Sequence, residues 1–180
     1  MFDPSTFEKL TLPELQAIMS RAGAKAETYL EPLNQTMCVY EISSRLRKSA
    51  FLAQLAHESG ELRYMAEIAS GAAYEGRIDL GNTHKGDGVR FKGRGLIQVT
   101  GRANYESCAA SLGMSLTGFE AYVMTPEGAA MSAGWFWNSR MLNALADSKD
   151  FIRITKKING GTNGLSERQA YYRKALEALE

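Results

Sequence analysis

Carboxylates are the side chains best placed for chemistry in this 180-residue chain, because its histidines are few and its cysteines badly spaced. Only His57 and His84 occur. The string His57-Glu58-Ser59-Gly60-Glu61 begins like a metalloprotease helix, but Glu61 stands where a second zinc-binding histidine is needed. No Gly-x-Ser-x-Gly turn presents a nucleophilic serine, and nothing local pairs Cys38 or Cys108 with a histidine. Gly93-Arg-Gly95 is too short for a phosphate loop. No metal and no cofactor is expected.

Glu58 falls three residues after Leu55 and seven after Phe51, at the end of an apolar helical stretch that runs into a glycine-rich segment. A carboxyl group at such an apolar edge suits a general acid. Glu67 follows nine residues later. On one unbroken helix that separation is about 13.5 Å and roughly 900° of rotation, which puts the two side chains on opposite faces. They meet only if the helix stops between them, and Ser59-Gly60 is a natural stop. Two carboxyls facing across a cleft suit hydrolysis of a glycosidic bond, one protonating the leaving oxygen and the other drawing a proton from water. Spacing alone does not choose among Glu58, Glu61, Glu67 and Glu75. Each also reads as a member of a structural network or as a solvated surface charge.

The elements that must position these groups are mostly helical. Thr11-Leu-Pro-Glu14 is a capping box and predicts a helix to about Arg21. Tyr29, Leu33, Met37 and Tyr40 recur at helical spacing, with Pro32 as an expected split. Ser44 opens a helix whose Leu46, Ala50, Ala53 and His57 share one face, beside a stripe of Phe51, Leu55 and Glu58. Residues 60–101 then hold nine of the 17 glycines, which predicts loops and short extended pieces at Arg90–Lys92 and Leu96–Thr100. Helices return after a second capping box at Thr117–Glu120 and a Thr125 cap with Pro126, then over 148–158, and finally after Ser166.

The wider composition excludes several classes. Lys and Arg total 21 against 20 Asp and Glu, and both signs are spread evenly, so neither nucleic acid nor an anionic membrane is the expected partner. No apolar run approaches the roughly 20 residues that span a bilayer, so no stable membrane insertion is expected. Two cysteines make no disulfide framework and read as buried thiols. The start, Met-Phe-Asp-Pro, lacks the basic and apolar stretches of a secretory signal, which predicts a cytoplasmic protein.

Ala56-His-Glu-Ser-Gly60 followed by Tyr64-Met-Ala-Glu67 resembles the paired-glutamate segment of glycoside hydrolase family 19, the chitinases and phage or prophage endolysins. Gly93-Arg-Gly-Leu-Ile-Gln-Val-Thr-Gly-Arg-Ala-Asn-Tyr105 resembles that family's second signature. Ile158-Asn-Gly-Gly161 with Arg168 and Tyr172 resembles its third. The motifs run in order from about residue 44 to the C-terminus. They imply a mainly α, lysozyme-like, two-lobed helical domain with a small glycine-rich loop or β-hairpin region. The expected organisation is one catalytic domain over 1–180, with a helical lead-in over 1–43, a core over 44–180 and no separate wall-binding module.

The resemblance implies Glu58 as general acid, Glu67 as general base and Thr100 as the hydroxyl that helps hold the attacking water. It implies sugar-binding amides at Gln98, Asn104 and Asn159, and Arg168 as the arginine that orients the acid. Glu75 ranks second to Glu67 as base, and His57 reads as a hydrogen-bonded support. Plant-type chitinases carry a glutamate where this chain has Asn163, and their long disulfide-linked loops are missing.

These departures turn the expectation from chitin to bacterial peptidoglycan, cleaved at β-1,4 bonds by an inverting endolysin of the muramidase type. A chitinase and a non-catalytic glycan-binding module are the alternatives. The expected protein is a monomer that waits in the host bacterial cytoplasm until a separate membrane-permeabilising protein opens its way to the wall. Trp135 and Trp137 read mainly as core, and Arg94 and Arg102 as salt-bridging or substrate-facing residues.

Overall fold

At the centre of the computed structural model, which describes residues 2–179, lies helix α3 (Arg45–Glu58). The expected domain limits at Met1 and Glu180 lie outside the described residues. Ser44 caps α3 by accepting a hydrogen bond from the Arg47 amide at 3.2 Å. From Lys48 to Ala56 every residue of α3 is buried, so this is a core helix rather than an amphipathic surface one. Ala50, Ala53 and Ala56 keep it slim, while Phe51, Leu52 and Leu55 each contribute about 1.5–3 kcal/mol by leaving water. Two of its buried polar residues are partnered, whereas the Ser49 hydroxyl finds no hydrogen bond among the described residues. The Lys48 ammonium donates to the Glu8 carbonyl, and Gln54 donates to Thr155 Oγ1 at 2.9 Å.

The other helices wrap this one. In chain order they are α1 (Leu12–Ile18), α2 (Lys25–Val39), α4 (Asp87–Arg90), α5 (Arg102–Ser111), α6 (Phe119–Tyr122), α7 (Pro126–Ser139), α8 (Leu142–Asp147), α9 (Phe151–Asn159) and α10 (Leu165–Ala178). Helix α10 packs along α3, and α2 packs along α7. One continuous apolar core joins the lead-in residues Leu15, Ile18 and Met19 to Phe51, Trp137 and Tyr171. Trp135 and Trp137 both belong to it, and the Trp137 ring meets Phe51 edge-on at 5.3 Å. The architecture is the mainly helical, lysozyme-like one that the motifs imply.

Several local expectations hold. The Thr11–Glu14 capping box starts α1, and Thr125 caps α7 with Pro126 in the first turn. Others are corrected by packing. Pro32 lies inside an unbroken α2, where burial of Tyr29, Leu33 and Met37 offsets its cost of roughly 3 kcal/mol. Thr117 does not cap α6, since Gly118 takes the N-cap in a left-handed conformation. Ser166 does not cap α10 either, because Gly164 at φ +69° starts that helix earlier. A side chain at Gly164 would collide with the His57 ring. The glycine-rich region holds only isolated bridges, Ala66 with Arg94 and Arg94 with Val99, and its Arg90 ends the one-turn helix α4 rather than a strand.

Candidate active site

The end of α3 delivers Glu58 to the edge of an open cleft of about 260 Å³, lined also by Tyr64, Ala66, Glu67, Ile68 and Gln98. The helix stops where Ser59-Gly60 predicts. Its chain then turns left-handed through Gly60, Glu61 and Leu62, at φ +58°, +59° and +65°. Buried Ser59 closes the turn, donating to the Leu55 carbonyl at 2.6 Å and accepting from the Leu62 amide at 2.8 Å. The following arm is tied to the glycine-rich loop by Glu67 N to Gly93 O at 3.0 Å and Gly95 N to Met65 O at 2.8 Å. The Lys92 ammonium grips the same arm through the carbonyls of Glu67 and Ala69, at 3.2 and 3.1 Å. Both carboxylates therefore line one cleft.

Each carboxylate has a specific partner. Arg168, itself 1% exposed along its side chain, places Nη2 2.6 Å from Glu58 Oε1. The same guanidinium donates to Gln54 Oε1 at 2.5 Å and to the Asn163 carbonyl at 3.2 Å. That rigid planar fork binds three acceptors in fixed directions, unlike the rotatable ammonium of lysine. Glu67 Oε2 accepts from the Tyr74 hydroxyl at 2.9 Å, and its Oε1 is buried without a partner among the described residues. The Tyr74 phenol is held above its ordinary range, first by this hydrogen bond and then by burial.

Gly93 locates the rest of the site. A Cβ built there would lie 2.8 Å from Gln98 Oε1, 3.2 Å from Thr100 Oγ1 and 3.3 Å from Glu67 Oε2. Three oxygens from separated positions thus surround one small space, left open by the missing side chain. Gln98 reaches it from a left-handed backbone at φ +57°, a sparsely populated conformation for a residue with a side chain. Thr100 donates to the Gln98 carbonyl at 2.9 Å, which leaves its lone pairs free to accept. Asn104 stands behind, with its amide on the Thr100 carbonyl at 2.8 Å. Asn159 ends α9 with its Oδ1 buried and without a partner among the described residues, and it does not line the carboxylate cleft.

Other carboxylates are sorted by their surroundings. Glu75 accepts from the amides of Gly86 and Gly88, at 2.7 and 2.8 Å, so it staples the loop with both oxygens. Glu61 is no surface charge, being 2% exposed and hydrogen-bonded to Arg21 and Tyr171. His57 Nδ1 lies 2.6 Å from Glu167 Oε2, which fits the expected support role. Arg102 pairs with Asp87 at 2.6 Å, and Arg94 donates to the Arg90 carbonyl, so both arginines are structural. Tyr172 stacks on Phe151 in a groove of about 360 Å³ that shares no lining residue with the cleft. Cys38 is half-buried and Cys108 buried, and both are free thiols.

Sequence reasoning missed Tyr74, Lys92 and Gly93 as parts of the site. Their roles follow from loop paths that no local spacing encodes. Positive φ at Gln98 likewise has no signature in an Ile-Gln-Val string.

No family model matches the chain. A glycosyl hydrolase family 19 domain-containing protein of Haemophilus influenzae is 26% identical, over 98% of this chain and 96% of that protein. An endochitinase of Arabidopsis thaliana is 37% identical over 63% of this chain, which spans 38% of that enzyme's length. In three dimensions the chain resembles a bacterial family 19 chitinase with a TM-score of 0.78 at 18% identity, covering 94% of each chain. It resembles chitinase C of Streptomyces griseus with a TM-score of 0.73 at 21% identity, over 94% of this chain and 76% of that one. In sequence and in fold the chain is thus similar to proteins of glycosyl hydrolase family 19, relatives that support a glycoside hydrolase.

Proposed function

We propose that the enzyme hydrolyses β-1,4 glycosidic bonds of bacterial peptidoglycan by single displacement with inversion. The observation that carries the chemistry is the convergence of Glu67 Oε2, Thr100 Oγ1 and Gln98 Oε1 on the space over Gly93, in a cleft that also takes Glu58. Glu58 protonates the leaving glycosidic oxygen. Arg168 occupies its Oε1 and leaves the other oxygen to carry that proton. Glu67 removes a proton from a water held with Thr100, and the water oxygen attacks the anomeric carbon from the opposite face. The glycosidic bond breaks as the new C–O bond forms. Glu58 ends ionised and Glu67 protonated, and exchange with solvent resets both. Inversion needs the carboxyls about 6.5–9.5 Å apart to admit the water.

Peptidoglycan is favoured over chitin by the Asn163 position. The residue there offers Arg168 only a backbone carbonyl, so the additional carboxylate of plant-type chitinases has no counterpart at this point. A chitin substrate is the second reading, supported by the plant and Streptomyces relatives that are named as chitinases. Mass spectrometry of products from purified peptidoglycan and from N-acetylglucosamine oligomers separates the two. Reducing-end N-acetylmuramic acid, lost in Glu58→Gln and sharply reduced in Glu67→Gln, is the expected result. Cleavage of the chitin oligomers alone would move the substrate and keep the two glutamate roles. Full turnover by Glu58→Gln would overturn the mechanism.

A further inference from the structure

Glu61 lies between the acid and the base and takes no part in the proton transfers proposed above. Its carboxylate accepts from the Arg21 amide at 2.5 Å, from Arg21 Nε at 2.7 Å and from the Tyr171 hydroxyl at 2.6 Å. Arg21 Nη2 also donates to the Tyr171 hydroxyl at 2.8 Å, which closes the network. Arg21 follows α1 in the lead-in, and Tyr171 sits on α10 three residues beyond Arg168. One helix therefore holds the end of α3 twice, through Arg168 at Glu58 and through Tyr171 at Glu61.

What this network holds is an unfavourable piece of backbone. Glu61 and Leu62 are both left-handed, and neither is a glycine. L-residues resist that conformation because Cβ crowds the following carbonyl oxygen, and successive residues of this kind persist only under outside constraint. Leu62 contributes part of the constraint by full burial, and the Glu61 ion pair contributes the rest. The turn joins the end of α3 to the arm that carries Glu67. Its shape therefore decides where the base stands relative to the acid.

We propose that Glu61 is a positioning residue, which anchors the left-handed turn to Arg21 and Tyr171 and thereby sets Glu67 opposite Glu58. This rests on the acid–base roles given above. Without the anchor the turn relaxes toward ordinary backbone angles, and Glu67 moves relative to Thr100 and the water. Substrate contacts made by Gln98 and the loop beyond Gly93 stay in place. The loss then falls on kcat and not on KM.

The test compares Glu61→Gln and Tyr171→Phe with wild type, using whichever of peptidoglycan or N-acetylglucosamine hexamer the wild type cleaves. Glu61→Gln is expected to lower kcat about 100-fold, the scale of an ångström-sized misplacement of a reacting group. Tyr171→Phe, which removes one donor and keeps Arg21, is expected to lower it about fivefold. KM should stay within about twofold of wild type in both. Combination with Tyr74→Phe, a partial lesion at Glu67 itself, separates positioning from general support. If Glu61 acts through Glu67, the second change adds little to the first; independent damage multiplies instead.

Wild-type kcat in a folded Glu61→Gln protein would overturn the proposal, and so would multiplying losses that track a falling melting temperature. Where Glu61→Gln fails to fold, the pair Tyr171→Phe and Tyr74→Phe decides by the same comparison. Failure of the acid–base roles is read separately, from undiminished turnover by Glu67→Gln, and would remove this proposal with them.

Discussion

Gly93→Ala adds one methyl group to the point where the three oxygens of the cleft converge. Gly93 is not among the residues with positive φ, so alanine meets no backbone penalty there. Its Cβ would approach Gln98 Oε1 to 2.8 Å, Thr100 Oγ1 to 3.2 Å and Glu67 Oε2 to 3.3 Å. The first contact is with the far end of a flexible side chain, which swings away at little cost. The other two require shifts of a few tenths of an ångström. Alanine also narrows the unfolded ensemble, which stabilises by about 0.4–1 kcal/mol. Repulsion and this gain nearly cancel, and the melting temperature should change by no more than about 4 °C.

Activity responds differently to the same methyl. The group fills the space proposed for the attacking water and displaces the two side chains that would hold it. Loss of that positioning is expected to lower kcat about 100-fold, or about 2.7 kcal/mol of barrier. The assay is reducing-end release under saturating substrate, with a thermal melt on the same preparation. A stable Gly93→Ala enzyme with kcat within twofold of wild type would refute the placement of the water over Gly93. A large fall in melting temperature would show instead that the three oxygens are structural neighbours first.

Two further outcomes concern the scaffold. Gly134→Ala should destabilise by about 1–3 kcal/mol, because its Cβ would run into the Tyr40 ring and Thr36 Cγ2 where α2 crosses α7; an unchanged chemical denaturation midpoint would contradict that close crossing. Asp87 is held down to about 2 from 3.8, chiefly by its hydrogen bonds to Arg102 and despite its burial. A depressed folded-state carboxyl pKa adds stability above the unfolded value and loses it as pH falls through the folded one. The wild type should therefore lose stability between about pH 4 and pH 2, and Arg102→Met should flatten that part of the denaturation curve; identical acid limbs would exclude the pair as its source.

Much of the fold is local enough to read along the chain. Capping at Thr11, Ser44 and Thr125 needs only a side chain and an amide three residues away, so those helix starts follow from short strings. The helix stop at Ser59-Gly60 and the loop character of residues 60–101 follow from glycine for the same reason. Three ordered motifs carry the family resemblance and nominate Glu58, Glu67, Gln98, Thr100, Asn104, Asn159 and Arg168; the fold gathers all of these around the carboxylate cleft except Asn159, which does not line it. Composition and spacing go no further. They leave Glu58, Glu61, Glu67 and Glu75 alike, as four carboxylates near glycines.

Only the tertiary structure separates these four, because a carboxylate's role depends on which donors surround it. Glu75 meets two loop amides, Glu67 a phenol and an open space, and Glu58 a buried guanidinium. Glu61 meets Arg21 and Tyr171, which lie 40 and 110 positions away along the chain. Ser166 and Thr117 lose their expected capping roles for a related reason, since left-handed glycines begin those helices instead. At Gly164 the packing against His57 adds its own demand for a missing side chain. Local strings specify what each residue can do, while the distant partners delivered by folding determine which of those things it does.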